Sequence, residues 1–176
     1  MLSLKGMGKE LKALEKELAK AQHDLVKNLA ADGQKTAKGM FGVYQTGWAP
    51  LAERTLKTHE QNAASILGEF PTTDTPLFVT GDLRDSVKKT VQKNESAVGT
   101  DDEVMLTQEF GAPNPWAGAN PIPPRPVFEP TAHQVYDRMP EHVKRTVGVV
   151  FKHGKGDGAM GGHLIEKMTL TEGEEE

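Results

Sequence analysis

From Leu4 to Leu29 the apolar positions Leu4, Met7, Leu11, Leu14, Leu18, Ala21, Leu25 and Leu29 recur at alternating intervals of three and four, with lysines and glutamates between them. That period lays one apolar stripe along an amphipathic helix of about seven turns. Gly6 and Gly8 weaken its first turn, so regular helix is expected from near Lys9. The stripe suits packing on the chain's own domain, and its heptad-like spacing also suits a seam against a neighbouring subunit.

The stretch ADGQKTAKGMFGVYQTG is interrupted by Gly33, Gly39, Gly42 and Gly47, which predicts loop or short helical turns. WAPLAERTLKTHEQNAASILGEF reads as a second helix, with Pro50 at or near its first position and Gly68 near its stop. Its thin stripe of Leu51, Leu56, Ala63, Ile66 and Leu67 suits covering one face of a sheet. FPTTDTP is a turn-rich connector. In FVTGDLRDSV, Thr80 is expected to cap a short helical turn with Asp82 at its positive end.

From Ser86 the pattern becomes strand-like: SVKKTV, a turn at KNES, AVGT, and a turn at Asp101 and Asp102. EVMLTQEF follows, with Val104, Leu106, Gln108 and Phe110 alternating against Met105, Thr107 and Glu109. Short turns between consecutive strands predict an antiparallel meander. Phe128, Ala132, Val135, Met139, Val143 and Val147 return to helical spacing, with Pro140 expected to kink or split that helix near Met139. VGVVFK reads as a further strand, HGKGDGAMGGH as a flexible loop, LIEKMTLT as a last strand and TEGEEE as a disordered acidic tail.

The fold class this predicts is α+β, an antiparallel β-meander packed by two or three α-helices. A long amphipathic helix would occupy residues 1–31, the α+β core 32–152, and a Gly-rich, acidic extension 153–176. A chain of 176 residues fits one such domain with appendages.

Composition removes several function classes. There is no cysteine, which excludes disulfides, thiolate metal sites and thiol nucleophiles. The N-terminal residues are studded with Lys and Glu, and no apolar run approaches the roughly 18 residues that span a bilayer. A soluble protein made in the cytoplasm, without membrane association, is the expectation. The net charge of −4 is uneven, lysine-rich up to about Lys57 and acidic beyond, without the dense basic patch of a protein that grips DNA.

Candidate chemistry is sparse. The histidines His23, His59, His133, His142, His153 and His163 form no HExxH, and only His153 and His163, flanking Asp157, suggest a metal clasp. GKGDGAMGG lacks the Lys-Ser/Thr pair and following helix of a phosphate-binding loop. No GxSxG elbow supports a Ser-His-Asp triad. No catalytic group, metal or cofactor is assigned.

EFGAPNPWAGANPIPPRPVFEP, residues 109–130, holds Phe110, Trp116, Ile122, Val127 and Phe128 among prolines and glycines. PIPPRP can form polyproline II and serve as a ligand for a groove-bearing partner, which would make the chain a monomeric adaptor. Alternatively the prolines hold an extended crossing over the sheet edge, and Arg125 donates to carbonyls that such a segment cannot pair by itself.

WAPLAERT, PLFVTGDLRDSV, AVGT, EFGAPN and IPPRPVF, in this order and with these intervals, resemble the tail-completion and virion-morphogenesis proteins of tailed bacteriophages. These are small neck proteins that join tail to head. The likeness spans about Trp48 to Val147. It implies a non-enzymatic α+β subunit of a ring of its own copies, commonly hexameric, in the virion neck. Its partners would be the tail tube or tail terminator protein and the head connector or head-closure protein, with DNA passing through without specific binding. A tail terminator capping the tube is the neighbouring alternative.

The marker positions of the family fall on Trp48, Pro50 and Leu51, on Thr80, Gly81, Leu83, Arg84 and Ser86, on Glu109, Phe110 and Gly111, and on Pro124, Arg125, Pro126 and Phe128. They would be folding and docking determinants, and the Pro-rigid segment bearing Trp116, Ile122 and Phe128 would act as a clamp that buries apolar area against its own helix or an adjacent subunit. Val127 departs from the larger residue usual after Arg-Pro, and the extension after the third helix is a second departure.

Overall fold

The heptad-like stripe and the start of the glycine-interrupted stretch form one helix, α1 (Leu4–Lys38), and residues 39–47 follow as irregular chain with turns, as expected. The computed structural model describes residues 4–113 and 121–153. Helix starts before Lys9 and passes through Gly33, where loop was expected. Close packing explains that glycine: a Cβ there would stand 3.2 Å from Cγ2 of Val98 and 3.7 Å from that of Val135. The helix ends at Gly39, whose N–H donates to the Lys35 carbonyl at 3.0 Å.

The remaining elements in chain order are α2 (Glu53–Gln61), α3 (Ala63–Ile66), α4 (Asp82–Asp85), β1 (Lys88–Val91), β2 (Ser96–Gly99), α5 (Glu103–Phe110) and α6 (Phe128–His153). The chain divides into two compact units, Val26–Met139 and the pair of segments Met1–Leu25 with Pro140–Glu176. No helix among the described residues is long and apolar enough to cross a membrane.

The unit Val26–Met139 is α+β. Its sheet has two strands, β1 and β2, antiparallel with Lys88 opposite Gly99 and Val91 opposite Ser96. The turn closes through Gln92 N–H to the Glu95 carbonyl at 2.8 Å. The expected third strand of a meander does not form: residues 103–110 are α5. Asp102, expected in a hairpin turn, is its N-cap, with Oδ1 accepting from Val104 N–H at 2.9 Å. Met105 is buried and Gln108 and Glu109 half-buried, a three-to-four spacing that fits a helix face and not a pleat.

The second predicted helix starts at Glu53, three residues after Pro50, and is broken at Asn62 into α2 and α3. Gly81, at φ 91°, is the N-cap of α4. Thr80 does not cap it; its hydroxyl donates to Oδ2 of Asp82 at 2.6 Å. Positive φ is open to Gly81 because it lacks a Cβ.

The buried core of this unit is Ala37, Met40, Phe41, Trp48, Ile66, Phe78, Val87, Met105 and Val127. Phe70 meets Phe78 edge-on with ring centroids 4.7 Å apart. The inner ends of α1 and α6 are tied by a forked ion pair, Arg138 Nε to Asp32 Oδ2 at 2.9 Å and Nη2 to Oδ1 at 3.1 Å, with Nη2 also donating to Thr36 at 2.7 Å.

In the other unit, α6 continues without a break through Pro140 to His153, so neither the expected split nor a strand at VGVVFK occurs. Once a helix is nucleated, each added residue gains a backbone bond for one residue fixed, and this outweighs the strand preference of the valines. Thr146 donates back to the His142 carbonyl at 2.9 Å, a bond made only in helix. His153, the first residue of HGKGDGAMGGH, ends α6, and the rest of that stretch, LIEKMTLT, the acidic tail and Trp116 lie outside the described residues.

Candidate functional site

Residues 108–113 and 121–131 build a junction between α5 and α6. Gly111, at φ 72°, ends α5 and turns the chain. Ala112 and Ile122 then pair as an antiparallel bridge, N–H to carbonyl in both directions at 2.9 and 2.8 Å. Three residues on, Arg125 N–H donates to the Gln108 carbonyl at 2.6 Å. The described residues 121–125 are thus held against the C-terminal end of α5.

The Glu109 carboxylate turns from α5 to the start of α6. It accepts from Val127 N–H at 2.7 Å, Phe128 N–H at 3.1 Å and Glu129 N–H at 3.3 Å. Pro130 has no N–H, and Thr131 N–H makes the first bond of α6, to the Val127 carbonyl at 3.1 Å. Every donor that a helix start leaves without an internal partner is therefore satisfied or absent. A carboxylate there also meets the positive end of the helix dipole.

Arg125 is buried, at 6 % exposure. Its Nη2 donates to the carbonyls of Ala49 at 3.1 Å and Pro50 at 3.4 Å. The expectation that it donates to carbonyls holds, but those carbonyls belong to the WAPL segment, some 75 residues upstream. Burial lowers its pKa from the ordinary guanidinium range, with the Tyr44 hydroxyl acting weakly the other way. Its Nε and the Gln108 Oε1 are buried without a partner among the described residues.

The WAPL segment is fixed from its other side as well. Trp48 lies in the core, and Leu51 N–H donates to the Tyr44 hydroxyl at 3.0 Å. That hydroxyl donates to Asp74 Oδ1 at 2.6 Å. The Tyr44 pKa is raised, first by burial and then by this bond.

The remaining marker residues form a second group. The Arg84 guanidinium pairs with the Glu69 carboxylate and with Asp85, and lies 5.0 Å over the Phe78 ring. Its pKa is raised, with Glu69 the leading cause, and Asp85 is held below the usual carboxylate range, with Arg84 the leading cause. Leu83 packs against the core. Ser86 joins α4 to β2 through the Thr100 hydroxyl at 2.6 Å, and Thr100 accepts from Asp102 N–H at 3.0 Å.

Chain comparisons decide no family. Neither protein-family models, nor curated proteins, nor solved structures give a match.

Of the clamp residues, Ile122 and Phe128 are half-buried, as is Pro126, and Phe128 packs on the core of its own unit. Phe110 stands apart: it is 75 % exposed, with Leu106 at 65 % one helical turn away. The histidines show no metal geometry among the described residues. His59 is a buried structural group whose Nδ1–H donates to the Thr73 carbonyl at 2.9 Å. The residue missed as a site was Glu109, recognised only as part of a motif. The sequence carries no signal for this role, because Glu109 lies 19 residues before Phe128, whose N–H it accepts.

Gly111 gives a direct test of the junction. A Cβ there would fall 2.7 Å from the Ile122 carbonyl oxygen and 3.0 Å from Pro124 N, both backbone. At positive φ the added side chain is strained as well. Gly111→Ala is expected to cost about 2 kcal/mol in urea unfolding; a cost below about 0.5 kcal/mol would mean the bridge is not held as described.

Proposed function

We propose that the chain is a structural subunit of a bacteriophage neck, which completes the tail and joins it to the head connector as one member of a ring. The observation that carries this reading is how the residues of the resemblance divide. Glu109, Gly111 and Arg125 lock backbone to backbone, while Phe110, between two of them, points an aromatic ring into solvent. A rigid junction that displays one large apolar side chain suits a docking anchor. The net charge of −4 suits a conduit that lets DNA pass without holding its phosphates.

On this reading the contact surface differs from the clamp expected from sequence. Arg125 and Phe128 serve the subunit's own fold, and the contact falls to Phe110 and Leu106. Phe110→Asp is expected to abolish ring formation, measured as mass by light scattering over a range of concentrations and with tail or connector extracts. The thermal midpoint should stay unchanged, because the ring makes little contact with its own chain. A parent protein that stays monomeric under all these conditions overturns the neck reading, and rings that persist in Phe110→Asp overturn the anchor.

A further inference from the structure

Every residue from Gly8 to Lys20 of α1 is exposed, including the apolar Leu11 at 64 %, Leu14 at 36 % and Leu18 at 42 %. Helices in proteins draw most of their stability from packing an apolar face, and this one has none packed along those residues. The face carries a shallow groove of about 410 Å³ lined by Leu11, Leu14, Glu15, Leu18, Ala19 and Gln22.

In heptad terms Leu11, Leu18 and Leu25 occupy a, and Leu14 and Ala21 occupy d. The flanks then follow by counting. Glu10, Glu17 and Asp24 fall on g, and Glu15 and Gln22 on e. Lys9, Lys12, Lys16 and Lys20 fall on the outer b, c and f positions. Both borders of the seam are acidic or neutral, and the lysines are all on the far side.

This distribution decides between occupants. In a parallel pair of copies Glu10 would face the other copy's Glu15, and in an antiparallel pair the g flank of Glu10, Glu17 and Asp24 would face itself. A second copy therefore meets like charge in either direction. The chain's own segment after His153 ends in TEGEEE and meets the same objection. We infer that residues 8–20 of α1 form a docking seam for a helix of a different protein, with an apolar stripe bordered by lysine or arginine.

The inference does not depend on the neck reading, since it concerns a different surface and a peptide can test it. The probe is a synthetic heptad peptide with leucine at a and d and lysine at e and g, with a twin carrying glutamate at e and g. Fluorescence anisotropy against the full chain should show the lysine peptide binding at least about tenfold more tightly, the gap narrowing with salt. Leu14→Asp with Leu18→Asp should lose that binding. Glu10→Lys with Glu15→Lys and Glu17→Lys should transfer the preference to the glutamate peptide. All five positions are exposed, so unchanged circular dichroism and thermal midpoint are expected. Equal binding of both peptides, or of neither, overturns the inference. So does a dimer in sedimentation that disappears in the Leu14→Asp, Leu18→Asp variant. Binding that emerges only when residues 164–176 are removed would assign the seam to the chain's own extension and also overturn it.

Discussion

Arg125→Ala is expected to lower stability by about 3 kcal/mol, and Arg125→Met by only about 1 kcal/mol. Alanine removes a side chain that is 6 % exposed and strips two carbonyls, Ala49 and Pro50, of a donor. It also leaves a void of several methylenes beside Val127 in the chain. Methionine fills most of that void and brings no charge. The charge itself is poorly compensated: its acceptors are carbonyls, its Nε has no partner among the described residues, and burial lowers its pKa. An apolar residue of similar length then escapes a desolvation cost that the guanidinium carries. Chemical denaturation of the three proteins checks this order. If alanine and methionine cost the same, the hydrogen bonds to the WAPL segment dominate and the packing account fails. A drop of about 3 kcal/mol would appear as a thermal shift of about 10 °C.

Legibility in the sequence followed the length of the periodic pattern. Apolar spacing declared α1 from Leu4 to Leu29, and the glycines hid its continuation to Lys38. Gly33 was read as a breaker because a helix glycine has two possible meanings, and the Val98 and Val135 methyl groups that give it the packing one are remote in sequence. The hairpin was legible because both strands are short and joined by the turn residues KNES. EVMLTQEF was not. Over eight residues a two-residue alternation and a helical face overlap, and the capping pair Asp102 and Gly111, which brackets the segment, was the better signal.

The site was legible in its members but not in their roles. The motifs marked Glu109, Gly111 and Arg125, yet only the fold brings Arg125 to Ala49 and Glu109 to Val127. Sequence spacing carries no information about such contacts, because they join elements whose relative placement depends on the whole core. Exposure is the second thing it withholds. Phe110 and Phe128 looked alike as aromatic anchors, and one is packed on the core while the other faces solvent. A split of that kind separates folding determinants from docking ones, which motif membership alone treats as one set.

Glu109→Ala should cost about 3 kcal/mol, and the loss should be localised first at the start of α6. One carboxylate accepts three backbone donors, from Val127, Phe128 and Glu129, so its removal exposes three unpaired N–H groups at once. An ordinary N-cap serves one such donor and is worth about 1 kcal/mol. Water reaches part of this site, since Glu109 is half-buried, and it recovers some of the loss. Glu109→Gln keeps one acceptor oxygen and the side-chain shape, and should lose about 1 kcal/mol. Glu109→Asp keeps the charge but is one methylene short of reaching α6 from α5, so it should resemble alanine more than glutamine. Hydrogen exchange would locate the effect: in Glu109→Ala the amides of Val127, Phe128, Glu129 and Thr131 should exchange faster, while those of β1 and β2 stay protected relative to global unfolding. Faster exchange confined to α5, with α6 unchanged, would mean that Glu109 steadies its own helix and that another group holds the start of α6.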